Sequence, residues 1–269
     1  MIKKFIIVNP ELFPEIIKKN ECDLFTIWNV AKLIDITGSG IVELKEVINI
    51  CNKLFSLKSK YVYEKINSGI NLYWTKPHGQ IRNKKICLFS INKIVSRLQP
   101  NVTRTKPVSI PVMHLEGLST KTIKEIYISI FAARYENDSP ISISSLEKFL
   151  GISESTARNA LKNCSFIKTK KNFEIIYSDT SKDKLAKLIV ADHHPYNLRI
   201  IQKDGIFLLL KQIPNSYHLF GLDRLPYKYR PKCLRLLDKN ILASLSKKKY
   251  DIKNGCLTSA NNETMSSYI

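Results

Sequence analysis

Four side chains between Ser142 and Ile167 have the chemistry that reads nucleic-acid bases. Ser155, Arg158, Asn159 and Lys162 recur at three- and four-residue spacing, so a helix through them places all four on one side, with Asn163 beside them. Arg can pair bidentately with guanine and Asn with adenine, and each such contact discriminates by roughly 1–3 kcal/mol. Ser153, Ser155 and Thr156 fall at the start of that helix, where free amides and the helix dipole favour a phosphate. On the opposite side stand Ala157, Ala160, Leu161 and Cys164, small and apolar enough to lie against a core.

A reading face works only if something holds it still. The residues just upstream supply a support: Leu146, Phe149 and Leu150 follow the i, i+3, i+4 rule for a buried helical face. Ser144 with Glu147 forms a capping box that predicts the start of this helix, and Gly151 predicts its end. Ser153 then predicts the N-cap of the next helix. The result is a short helix, a tight turn and a polar-faced second helix. Any helical hairpin can show this pattern, so the neighbouring segments must decide its use.

Other chemistry is sparse. Asp192, His193 and His194 before Pro195 contain the one histidine pair, and adjacent histidines on a strand point apart; the segment reads as a turn or loop. There is no phosphate-binding G-x-x-x-x-G-K-[ST] loop, no zinc spacing and no G-x-S-x-G elbow, and only nine glycines are present to build nucleotide-cradling loops. The six cysteines are scattered without a C-x-x-C pair and read as reduced. The chain is therefore read as non-enzymatic, with no cofactor, metal or small-molecule ligand.

The loudest global signal is a net charge of +20, carried by 43 lysines and arginines against 23 aspartates and glutamates. Such a charge draws polyanions and repels its own copies. Lysine outnumbers arginine 34 to 9. An A+T-rich genome alone favours lysine, but it does not suppress acidic residues this far. No apolar run is long enough to span a bilayer, and the N-terminal MIKKFIIVNPELFPEIIKK is too interrupted for a signal peptide. The expected location is cytoplasmic, in association with a nucleoid or plasmid. An apolar fraction of 44% over 269 residues allows two domains with cores of their own.

The chain also repeats a plan. In residues 22–98, DLFTIWNVAKLIDIT reads as a helix and IVELKEVINICNKLF as another, with Val42, Val47, Cys51, Leu54 and Phe55 inward. SKYVYEKINSG follows as a third, with Ser59 as N-cap, Val62 and Ile66 inward and Gly69 as the stop. INLYWT, with Tyr73 and Trp74 alternating as in a half-buried strand, and ICLFS read as strands around the polar loop KPHGQIRNKK; INKIVSRL closes the block as a short helix. In residues 116–179, a helix with Ile123, Ile126, Tyr127 and Ile130 inward precedes a turn at Asn137-Asp138-Ser139-Pro140 and the polar-faced pair. SFIKT and FEIIY then flank Lys170-Lys171-Asn172 as a two-stranded hairpin with a basic tip.

Helix, helix, polar-faced helix and basic hairpin resemble the winged helix-turn-helix superfamily, in two copies covering about half the chain. Tandem copies are similar to those of plasmid and phage replication initiators. The resemblance implies an α+β chain whose domains span 1–98 and 116–179. A proline-containing linker, 99–115, with Pro100, Pro107 and Pro111, joins them as an extended connector. A basic C-terminal α/β segment of unknown fold, 180–250, carries a hairpin around Lys203-Asp204-Gly205 and a helix from Lys232 into Leu245, and 251–269 reads as a disordered tail.

The resemblance also implies double-stranded DNA as partner, with the chain itself as a further partner in a dimer, and no membrane. The nucleic-acid contacts would be Ser153, Ser155, Thr156, Arg158, Asn159 and Lys162 on the second reading helix, with Lys168, Lys170 and Lys171 on its wing. In the first block they would be Lys58, Lys60, Tyr61 and Lys65, with Lys76, Arg82, Lys84 and Lys85 on the wing. Two readings of that first block stand open, DNA contact and protein docking. Arg224, Lys228 and Arg230, interleaved with Tyr227 and Tyr229, suit either a clamp on phosphates and bases or a solvated basic face. Replication and transcriptional regulation are both compatible with these features; so, from other classes, are a protein-interaction adaptor and an RNA-binding protein.

Overall fold

The computed structural model describes residues 5–55, 57–76, 84–100, 105–135, 139–192 and 197–239. The described residues are mixed α+β, 50% helical and 25% strand, with small sheets. It opens with strand β1 (Phe5–Val8), a 3₁₀ turn and helix α1 (Phe13–Lys18).

The first unit runs α2 (Cys22–Ile34), β2 (Ile41–Glu43), α3 (Leu44–Phe55), α4 (Ser59–Ser68), β3 (Trp74–Thr75) and β4 (Lys85–Leu88). Its strands form an antiparallel sheet in the order β2-β4-β3, and α5 (Ile91–Leu98) follows. The inward residues of α3 and α4 are buried as their spacing predicts. Val42, however, is buried on β2, because the segment read as one helix starts as a strand paired with β4. Lys58, not Ser59, occupies the N-cap position of α4, without a side-chain hydrogen bond to the helix amides. Tyr73 lies in a turn, and both it and Trp74 are buried, so INLYWT is not a half-buried strand. Gly69 ends α4 for a reason other than a left-handed backbone. A Cβ there would lie 2.3 Å from the Trp74 ring, whose Nε1 donates to the Ile66 carbonyl at 2.7 Å.

Residues 99–115 are not a free connector. β5 (Val108–Pro111) pairs with β1, burying Val108 and Ile110, and Pro111 takes the strand end that proline tolerates. The two-residue strand β9 (Asp223–Arg224) completes this sheet in the order β1-β5-β9.

The second unit comprises α6 (Thr120–Ala132), α7 (Ile143–Leu150), α8 (Glu154–Asn163) and the strand β6 (Ile167–Asp179). The hairpin expected around Lys170-Lys171-Asn172 is absent. β6 continues through those residues and pairs with β8 (Ile206–Leu219), from Ile167 opposite Leu219 to Asp179 opposite Phe207, with register shifts between Lys170 and Asn172 and between Ile175 and Tyr177. α9 (Lys182–Ala191) and β7 (Leu198–Lys203) are inserted between them. Nothing at Lys170-Lys171-Asn172 reverses the chain, and the long apolar run of β8 offers a better partner than FEIIY could fold back to find. The predicted β7–β8 hairpin does form, with Asp204 and Gly205 at positive φ. The sheet order is β6-β8-β7.

One continuous core joins the two units. Phe13 of α1 stacks on Tyr127 of α6 with centroids 4.6 Å apart, and Thr26 of α2 shares a 2.8 Å hydrogen bond with the Tyr127 hydroxyl. The helix after Pro231 is described for 232–239 and returns to the N-terminus through a buried ion network. Arg230 donates from Nε to Glu11 at 2.9 Å and from Nη1 to Asp238 at 2.6 Å, while Thr105 donates to Glu11 at 2.8 Å. The remainder of the helix predicted into Leu245, the tail 251–269, and Asn137 and Asp138 of the predicted turn lie outside the described residues.

Candidate nucleic-acid interface

α8 owes its placement to its caps and its small-residue underside. The Ser153 hydroxyl accepts from the Thr156 amide at 3.3 Å, the predicted N-cap. One helix back, the cap is Ser142, whose hydroxyl accepts from the Ser145 amide at 3.0 Å; the box expected from Ser144 and Glu147 lies two residues too late. Gly151 ends α7 at φ +61°, a conformation that costs a residue with a Cβ. Leu146 and Leu150 are buried, but Phe149 is 47% exposed and lies edge-on to Phe131.

Ala157, Ala160 and Leu161 are buried beneath α8, and Ser129 of α6 donates to the Ala160 carbonyl at 3.1 Å. Alanines at the crossing let α6 and α8 approach closely enough for that bond. Cys164 is half-buried at the end of the helix, where burial pushes its thiol up from the ordinary range. The outer face carries Ser155, Arg158, Asn159 and Lys162, all exposed, with Ser153 exposed and Thr156 half-buried at the N-terminus. Arg158 donates to Glu154 one turn earlier, at 2.7 Å from Nε and 2.5 Å from Nη2. The Arg158 side chain remains 64% exposed in that pairing. Glu154 was not among the sequence candidates, although a Glu four residues before an Arg on a helix is a readable signal.

Beside α8, Lys168, Lys170 and Lys171 are exposed on β6, as a row on a continuous strand and not as a hairpin tip. The Lys168 ammonium lies 4.0 Å from the Phe220 ring centroid.

α4 carries its candidates differently. Lys58 and Lys60 are exposed, whereas Tyr61 and Lys65 turn back toward α2. The Tyr61 hydroxyl donates to Asp23 at 2.6 Å and the Lys65 ammonium lies 3.2 Å from the same carboxylate. Burial, and then the Asp23 carboxylate, hold the Tyr61 hydroxyl protonated well above the ordinary phenol range. Lys76 and Lys84 are exposed; Lys85 pairs with Glu43 at 3.2 Å; Arg82 lies outside the described residues, as do His193 and His194.

The C-terminal candidates separate. Arg230 is 1% exposed and locked between Glu11 and Asp238, so it reaches no external ligand. Arg224 donates to the carbonyls of Ala133, Arg134 and Tyr135, closing the end of α6. Lys228 remains exposed, 5.4 Å from the Tyr229 ring centroid. Tyr227 donates to Asp238. The sequence showed three basic residues interleaved with two tyrosines and carried no sign that Glu11, 219 positions before Arg230, would take one of them.

Among the described residues no group of three or more His, Cys, Asp or Glu stands together as a metal site would, and no helix is long and apolar enough to cross a membrane. Comparison with known proteins finds no family model that matches the chain, no matching curated protein and no matching solved structure.

Proposed function

We propose that this chain is a non-enzymatic duplex DNA-binding protein built on two winged helix-turn-helix units, with α8 as the helix that reads sequence. The observation that carries this reading is the outward face of α8. Ser155, Arg158, Asn159 and Lys162 are exposed on a helix whose Ala157, Ala160 and Leu161 are buried. A helix held from below and polar above matches the width and the donor and acceptor pattern of a major groove. The order α2-β2-α3-α4-β3-β4, with its β2-β4-β3 sheet, supports the same architecture for the first unit. In the second unit the wing is the β6–β8 ribbon, and its lysines contact backbone.

Within this reading the two units contribute unequally. α8 chooses the sequence, and Lys58, Lys60, Lys76 and Lys84 of the first unit add phosphate contacts. Because the units share a core through Phe13, Thr26 and Tyr127, the spacing between their contacts is fixed, as recognition of a defined site requires. A replication initiator of the plasmid or phage type, or another mobile-element DNA-binding factor, uses such a fixed pair; a transcriptional regulator is the second reading. The net charge of +20 supplies the steering common to both.

Selection from a pool of random duplexes at two salt concentrations tests the proposal. Enrichment of a defined sequence that survives the higher salt is the expected result. Retention of all duplexes equally, lost together as salt rises, would leave charge alone and remove α8 from its role.

A further inference from the structure

α8 begins with an acid where a DNA-binding surface would be expected to have none. Between Gly151 and Phe173, Glu154 is the sole acidic residue against five lysines and arginines. It stands in the first turn of the helix, more than half exposed. A helix start ordinarily favours a phosphate, but this one is occupied by its own groups. The Ser153 hydroxyl accepts from the Thr156 amide and shares hydrogen bonds with the hydroxyls of Ser155 at 3.0 Å and Thr156 at 2.9 Å. A carboxylate beside them repels the same phosphates that the lysines of β6 attract.

Such an acid lowers affinity for any duplex, so its use must lie in what it does to Arg158. One carboxylate oxygen, Oε1, accepts from Arg158 Nε at 2.7 Å and lies 2.5 Å from Nη2, bridging the two nitrogens. An exposed pair of this kind adds little to stability. Its effect is on geometry and charge. The bridge occupies two of the five N–H groups of the guanidinium and leaves three on Nη1 and Nη2. Guanine needs two, for O6 and N7. A guanidinium tied at Nε keeps its donors for a base edge, while its charge is partly neutralised toward phosphate.

We propose that Glu154 is a specificity-determining positioning residue, which holds Arg158 in the conformation that reads guanine and denies the same guanidinium to the phosphate backbone. The inference rests on α8 being the reading helix and adds the source of its selectivity. The lysines of β6 supply affinity for any sequence, and Glu154 gives up part of that affinity for discrimination.

Competition binding of the full-length protein tests this with three duplexes: the selected site, the site altered at the base pair that Arg158→Ala leaves unread, and random sequence. Glu154→Ala should bind random duplex about fivefold more tightly, since a like charge is removed from beside the phosphates. It should also lose about fivefold of its discrimination at that base pair, the low end of one base contact. In an Arg158→Ala background, Glu154→Ala should change discrimination no further, because it acts through Arg158. A role confined to holding α8 together would instead weaken binding to every duplex alike and add to the loss from Arg158→Ala. If Glu154→Ala melts more than about 2 °C below wild type, Glu154→Gln, which keeps the size of the side chain and removes its charge, is read in the same way. Random duplex bound no more tightly, discrimination unchanged, or an equal loss in the Arg158→Ala background would each overturn the proposal while leaving α8 as the reading helix. A wild type that selects no sequence would overturn that reading, and this proposal with it.

Discussion

α4 and α8 are both ten-residue helices, one following the twelve-residue α3 and the other the eight-residue α7, yet they present different faces. On α8 an ion pair, Glu154 with Arg158, lies along the helix itself, and Asn159 and Lys162 are exposed beside it. On α4, Tyr61 and Lys65 bend back to Asp23. The cause lies on the helix beneath. The first turn of α2 holds an acid, Asp23, and the first turn of α6 holds none. One carboxylate at a helix start withdraws an aromatic hydroxyl and a cation from the surface above it. A polar face is available to a ligand only to the extent that its supporting helix makes no claim on it.

That contrast can be broken or sharpened by substitution. The largest effect should come from a cation already committed to the interior. Arg230→Ala leaves Glu11 and Asp238 buried without their partner, and should lower stability by about 3–5 kcal/mol in denaturant titration while leaving the preferred DNA site of the surviving folded protein unchanged. Next, Arg158→Ala combined with Asn159→Ala should flatten sequence preference, by roughly 1–3 kcal/mol for each base contact removed, as read by competition with mismatched duplexes. If this double variant kept full discrimination, the reading helix would have to be sought elsewhere.

Asp23→Asn should cost about 1 kcal/mol of stability. It should also release Tyr61 and Lys65, making α4 behave more like α8; tighter binding to duplexes of any sequence is the expected sign. An unchanged affinity would show that α4 does not approach DNA at all. Smallest of all, Lys170→Ala with Lys171→Ala should weaken every sequence alike and shallow the salt dependence by roughly 0.9 per lysine, without moving the preferred site.

Much of the local architecture was legible in the residues. The Ser153 cap, the Gly151 stop, the buried stripes of α3 and α6 and the turn at Asp204-Gly205 depend on interactions within a few positions, and the chain writes those in order. The Ser144 capping box misled because three serines stand within four positions, and the hydroxyl that reaches a free amide is chosen by the arriving chain direction. Val42 fell on a strand because β4, more than forty residues on, was there to pair with it. The missing hairpin at Lys170-Lys171-Asn172 has the same origin. A strand takes the partner that buries its side chains best, and β8 lies beyond an inserted helix and strand that no local rule could connect to it.

By itself the sequence determined the helices from α2 to α8 apart from the start of α3, though not α1 or α9, and it determined that the whole is strongly basic, since backbone preference and periodicity act over one or two turns. Only the tertiary structure decided which cations remain outside. Arg158 and Arg230 are the same residue type in similarly polar surroundings, but one faces outward and the other is enclosed by Glu11 and Asp238. Charge acts through space and is cancelled by whatever the fold brings near, from however far along the chain it comes.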